Sequence, residues 1–185
     1  MPRTSDKRDR LVEAAKNLIH RQGFHRTTLA DIADESEVPL GNVYYYFKTK
    51  EDICEAVLEE RRLKLQETFD GCCKSNQPKQ NLIELVNKII KSSEKIAAHG
   101  CIIGSLCQEL DKTKSPLRDT ADKCIQEHID WASKQFREMG YKKTSEMGFE
   151  FIARLEGIML VGHALHEPKR IKSQLRATCK WIESL

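Results

Sequence analysis

Long apolar runs are missing from this chain of 185 residues; no stretch approaches the roughly 18 consecutive apolar residues that a bilayer-spanning helix needs. Alternating β-branched segments are also missing, so no strand is expected, and nearly every segment reads as helix. No internal repeat and no low-complexity tract is visible. No apolar segment follows Met1-Pro2-Arg3-Thr4-Ser5, so no secretory leader is expected, and the protein is read as cytoplasmic with its thiols reduced. Seven cysteines (Cys54, Cys72, Cys73, Cys101, Cys107, Cys124 and Cys179) include no CxxC pair, and the one close pair is adjacent, which argues against structural zinc. His163 and His166 stand three apart beside Glu167, but no third ligand is spaced to join them, so no metal is expected. Nor is there a convincing nucleophile–base pair. No enzyme activity and no cofactor are expected, leaving a helical enzyme or a bare helical interaction module as the weaker readings.

Charge is plentiful but nearly balanced. Charged residues make up 32% of the chain and hydrophobic ones 39%, enough for a core beneath a heavily charged surface, and the formal net charge is only +3. That total excludes nothing about nucleic acid. Its distribution is more telling: Arg3, Lys7, Arg8 and Arg10 outweigh Asp6 and Asp9, giving residues 1–10 a net charge of +2.

The predicted helices follow from spacing and punctuation. Ser5 is placed as the cap of a first helix over 5–22, with Lys7 to Arg10 facing solvent and Leu11, Ala14, Ala15, Leu18, Ile19 and Gln22 as its core stripe. Gly23 ends it and Phe24 packs back. Thr27 or Thr28 caps a second helix over 28–35, and Thr28 with Asp31 resembles a capping box with Asp in place of Glu. After Ser36-Glu37-Val38-Pro39 comes a third short helix. Two short helices joined by a tight link after a longer one make the helix-turn-helix plan.

That third helix lies in Leu40-Gly41-Asn42-Val43-Tyr44-Tyr45-Tyr46-Phe47-Lys48-Thr49-Lys50, which holds three of the four tyrosines side by side. At helical spacing Leu40, Val43, Tyr44 and Phe47 share an apolar inner face; Gly41, Asn42, Tyr45, Tyr46 and Lys48 share the outer one. An amide, phenols and an ammonium group are the groups that bond base edges and phosphates.

Thr49 caps a long helix over 49–70, with Ile53, Val57, Leu58, Leu63, Leu65 and Phe69 expected inside. Further helices are placed at 79–98, 101–110, 116–139, 144–166 and 168–184. The last two carry wide apolar surfaces, with Gly157 and Gly162 allowing close approach of another helix. They are read as a two-fold subunit interface, the alternative being that both are core helices of the monomer.

The first 60 residues resemble the TetR family of bacterial transcriptional regulators. The resemblance is carried by the stripe Leu11 to Ile19, Gly23-Phe24, Thr27-Thr28, Leu29-Ala30-Asp31-Ile32-Ala33, Val38 and the run Gly41 to Glu51. The all-α layout of about nine helices read from the spacing agrees with what it implies. Residues 1–48 would form a three-helix helix-turn-helix domain, and 49–185 a larger helical domain that binds an inducer and dimerises through its last two helices. The expected partners are an operator in double-stranded DNA, a small-molecule inducer and a second copy, with no membrane. DNA-contact candidates are Thr28, Gly41, Asn42, Tyr45, Tyr46, Lys48 and Lys50, with Tyr44 added although it falls on the apolar face. Candidate pocket walls are Phe69, Ile89, Ile103, Leu106, Cys107, His128 and Trp131. The function expected is a repressor released when a small molecule or reactive electrophile acts on the larger domain. An alternative is a thiol-based sensor acting through Cys101, which follows Gly100 at a helix start where the dipole would lower a thiol pKa, although a buried structural cysteine is the favoured reading of that residue. Relatives often carry Gly-Val and then Ser or Thr before the third helix; here Val38-Pro39-Leu40 supplies no side-chain donor.

Overall fold

The computed structural model describes residues 4–73, 77–112 and 115–185, with the backbone alone for Thr4 and Ser5. Arg3 and the Ser5 hydroxyl suggested as a cap lie outside the described residues. Ten helices and no strand occur among those residues: α1 Thr4–Gln22, α2 Leu29–Ser36, α3 Leu40–Tyr46, α4 Lys50–Cys72, α5 Pro78–Lys91, α6 Ser93–His99, α7 Ile102–Lys112, α8 Arg118–Glu138, α9 Thr144–Ala164 and α10 Pro168–Ser184. The protein is all-α, as the periodicity predicts. The span 79–98 is two helices rather than one. Ser92 leaves helical geometry, and the buried Ser93 turns its hydroxyl back to Ile90 O at 2.7 Å, breaking the ladder between α5 and α6.

The chain forms two compact units. The first comprises Met1–Leu63 with Ser105–Asp122, the second Lys64–Gly104 with Lys123–Leu185. In the first, Leu11, Ala14, Ala15, Leu18 and Ile19 of α1 are buried as expected, but Gln22 is exposed and donates to Arg26 O. Val12 and Lys16 join the buried set. Lys16 sinks its aliphatic stem and holds its ammonium on Glu13 and on Glu60 Oε1, the latter at 2.9 Å. Arg10 is not simply solvated either: it donates to Ser36 O at the end of α2. Gly23, at φ +86°, terminates α1, where a β-carbon would be strained.

Along α4, Ile53, Val57, Leu58 and Phe69 are buried, but Leu63 is 60% exposed, against expectation; Leu65 is half-buried. The buried Cys54 lies between Ile53 and Val57, so the helix needs fewer leucines inward than its composition suggests. The core of the second unit gathers Leu82, Val86, Phe136, Phe151, Leu155, Leu175 and Ile182, with α10 packed on α5, α6 and α9. Phe149, Leu160, Val161 and Leu165 of the α9 region stay exposed.

Candidate nucleic-acid interface

The helices on either side of α3, α2 and α4, begin with the same device. Thr28 Oγ1 accepts the Asp31 N–H at 3.1 Å while Asp31 Oδ2 accepts the Thr28 N–H at 2.9 Å. Thr49 and Asp52 repeat this at the start of α4, at 3.1 and 3.0 Å, and Asp52 also accepts the Lys48 N–H at 2.9 Å. Each box satisfies amides that a helix start would otherwise leave open. The Thr49 amide first, and then its hydroxyl, hold the Asp52 carboxyl below its ordinary value. Acceptance from Asp31 leaves the Thr28 hydroxyl proton available to an outside acceptor.

Between the boxes, α2 ends on Glu37 in the left-handed region (φ 53°), and Val38 N–H bonds Ala33 O at 3.0 Å. That reversal sends Val38 into the core and starts α3 at Pro39, which caps it without a side-chain bond. Only Val43 of α3 is buried, followed by Phe47 in extended backbone just past its end. The predicted inner face holds for Val43 and Phe47 and is corrected for Leu40 and Tyr44. Leu40 is 41% and Tyr44 48% exposed. The physical reason is length: a seven-residue helix pinned by Val38, Val43 and Phe47 needs no further anchor, and Phe47 does not continue the helical spacing.

The other candidates sort by what already occupies them. Tyr45 is 70% exposed and sets its ring edge-on to Tyr46, centroids 5.0 Å apart. Asn42 and Tyr46 are half-buried, and the exposed Gly41 has nothing within 4 Å of where a β-carbon would sit. Lys48 Nζ donates to Tyr44 O at 2.7 Å. Lys50 Nζ donates to Phe24 O at 2.9 Å and lies 4.3 Å from the centre of the Phe24 ring. Lys50 thus ties the turn after α1 to the start of α4. Arg8, which the sequence placed in solvent, stacks its guanidinium 5.3 Å from the Phe47 ring.

Residues 11–57 match the family model described as "Bacterial regulatory proteins, tetR family". The HTH-type transcriptional regulator LmrA of Bacillus subtilis (strain 168) is 30% identical over 133 residues, 69% of this chain and 68% of LmrA. The chain belongs to the TetR family. An uncharacterized HTH-type transcriptional regulator of Lactococcus lactis subsp. lactis is 24% identical over 160 residues, covering 83% of this chain and 82% of its own. In fold, a TetR-family transcriptional regulator from Agrobacterium tumefaciens superposes with a TM-score of 0.85 at 18% identity, over 95% of this chain and 97% of that one. The protein is a helix-turn-helix transcriptional regulator of this family, and α2–α3 is its helix-turn-helix.

In the second unit of this TetR-family regulator, three of the predicted pocket walls come together. The Phe69 and Trp131 rings stack at 4.6 Å and 7°, and His128 meets Phe69 edge-on at 5.6 Å. His128 Nδ1 faces Cys124 O at 2.6 Å, and burial holds the imidazole pKa down. The Trp131 indole N–H is buried with no hydrogen-bond partner. Ile89 is half-buried against the same core, and Ile103 is buried. Leu106 and Cys107 belong to the first unit, where Leu106 is core and Cys107 Sγ donates to Ala121 O.

The lowering of the Cys101 thiol pKa expected from its helix start is reversed in direction. Burial first, and the Glu156 charge second, push its thiol up to about 12. It donates to Glu156 Oε1 at 3.3 Å, and the carboxyl is itself raised by burial. The helix-start effect on which the expectation rested is outweighed by desolvation of the thiolate. His163 and His166 turn their Nδ1 atoms to one carbonyl, Ala97 O, at 3.0 and 3.3 Å. No group of three or more potential metal-ligating side chains is found among the described residues.

Proposed function

We propose that this regulator is a dimeric repressor that reads a palindromic operator with α3 and leaves it when a small molecule binds the larger domain. Residues 1–48 act as the DNA-binding domain and 49–185 as the ligand-binding and dimerisation domain. The observation that carries the reading is the state of α3. Tyr44 and Tyr45 stand exposed beside an open Gly41, and the helix holds only Val43 in the core. Asn42 reads a base edge, Gly41 permits close approach, and Tyr44, Tyr45 and Tyr46 bond phosphate oxygens or touch thymine methyls. Thr28 donates its hydroxyl to a phosphate. Lys48 and Lys50 contribute positive charge near the DNA backbone while their ammonium groups stay bonded to Tyr44 O and Phe24 O of the DNA-binding domain.

Two copies joined through α9 and α10 set their recognition helices about 34–36 Å apart, one turn of DNA. The exposed Phe149, Leu160, Val161 and Leu165, with an open apolar groove of about 340 Å³ between α9 and α10, support that face as the interface. The Phe69–Trp131 stack with His128 supports an aromatic small-molecule site; its occupant acts by favouring a head spacing that no longer fits the operator. Nothing favours the Cys101 alternative.

Selection of duplexes from random DNA, followed by electrophoretic shift, tests the core of this reading. A recovered palindrome, bound at least about ten-fold more weakly by Asn42→Ala and Tyr45→Ala, is expected from the loss of one good base or phosphate contact per half-site. Equal binding by both variants would sink the contact assignment, and no enrichment would sink the DNA reading.

A further inference from the structure

The first turn of α3 presents an unusual surface for a reading helix. Pro39 has no N–H and no side-chain donor, Leu40 is aliphatic and Gly41 has no side chain. No hydrogen-bonding side chain appears before Asn42. Leu40 is nonetheless 41% exposed, because Val38 on one side and Val43 on the other already fill the anchoring positions, at 2% and 0% exposure. Four residues on, Tyr44 is 48% exposed, and residues at that spacing lie one above the other on a helix. Leu40 and Tyr44 therefore make a continuous apolar strip on the same helix as Asn42. The open space around Gly41 lets a flat surface come close to it.

In a helix-turn-helix protein the N-terminal residues of the second helix are the ones that meet base edges. The major groove offers one apolar base-edge group, the C5-methyl of thymine. An exposed leucine in that turn has no polar group with which to bond any other feature of a base. We infer that Leu40 is a specificity-determining residue that selects thymine by packing on its methyl group, with Tyr44 closing the other side of the contact. This rests on the DNA-binding reading above and extends it: the end of α3 that lacks side-chain hydrogen-bond donors reads by shape and hydrophobicity.

The test replaces thymine with deoxyuridine, one operator position at a time, in the duplex recovered by selection. The change removes the methyl and nothing else. For the wild-type chain, one symmetric pair of substitutions is expected to weaken binding by roughly four-fold per half-site, the worth of one buried methyl-sized group. Leu40→Ala is expected to lose a similar factor on the thymine operator and to be indifferent to deoxyuridine at that pair. Since Leu40 is exposed, the variant keeps its fold, which circular dichroism and an unchanged melting temperature verify. Wild-type binding that ignores deoxyuridine at every position overturns the inference, as does sensitivity that survives in Leu40→Ala. Either result leaves the DNA-binding reading standing, whereas failure to recover any operator removes that reading itself.

Discussion

Glu109 holds the turn after the first helix through His25: its Oε2 accepts the His25 backbone N–H at 3.1 Å, and its carbonyl oxygen faces His25 Nε2 at 3.3 Å. The same carboxylate lies where a β-carbon on Gly23 would come, 2.9 Å from Oε1. Gly23→Ala is therefore expected to lower stability by about 1–2 kcal/mol through its positive φ, with a further loss from the carboxylate contact. Glu109→Ala alone should cost about 1 kcal/mol, one exposed hydrogen-bonding arrangement. In the double variant the contact part of the Gly23→Ala cost disappears and the strain remains. Urea midpoints of the four proteins check this, and strictly additive losses would refute it.

Glu156 gives a pH signature of defined sign. Burial raises its folded pKa above the ordinary 4.5, partly offset by the hydrogen bond from Cys101. A raised carboxyl contributes stability that is fully present below the unfolded value and is lost as pH rises through the folded one. Glu156→Gln keeps the shape without the buried charge. Its melting temperature should match the wild type near pH 4, exceed it increasingly as pH rises, and level off once the wild-type carboxyl has ionised. Parallel melting curves across pH 4–9 would contradict the assignment.

The thiols should separate by how far they are desolvated. Cys54 is buried and Cys101 half-buried, and both are pushed up to about 12, chiefly by desolvation, while Cys73 is exposed. Brief alkylation with iodoacetamide at pH 8, mapped by mass spectrometry, should modify Cys73 first and leave Cys54 and Cys101 untouched in the folded protein. Rapid labelling of Cys101 would restore the sensor-thiol alternative.

Two glycines of α9 that look alike in sequence should behave differently. A β-carbon on Gly162 would collide with Ile171 Cγ1 of α10; one on Gly157 meets nothing within 4 Å. Gly162→Ala is expected to cost about 1–3 kcal/mol in urea unfolding, the usual range for overpacking. Gly157→Arg should keep the helical circular dichroism spectrum but shift sedimentation from dimer to monomer, because the change falls on the exposed face beside the α9–α10 groove. A dimer that survives Gly157→Arg would move the interface elsewhere.

What the sequence determined by itself is what neighbours in the chain decide. The Thr28–Asp31 box, the Thr49 cap, the stop at Gly23, the α1 stripe and the two-helix plan of the head all depend on groups within a few residues of one another. Spacing and side-chain type were enough there. The tertiary structure decided which face of α3 is free. A helical wheel assumes a helix long enough to need the whole stripe, but Val43 and Phe47 of that stripe, with Val38 before it, do the anchoring and leave Leu40 and Tyr44 free. It also decided that Lys16 is buried on Glu60, 44 residues away, that Lys50 caps the turn at Phe24, and that Gly162, but not Gly157, faces α10. At Cys101 the local helix start favours a thiolate, but the surrounding burial and Glu156, 55 residues on, oppose it more strongly. Local hydrogen bonds and periodicity act through short stretches of backbone and can be read from order alone. Burial and long-range charge act through space, and only folding assigns them.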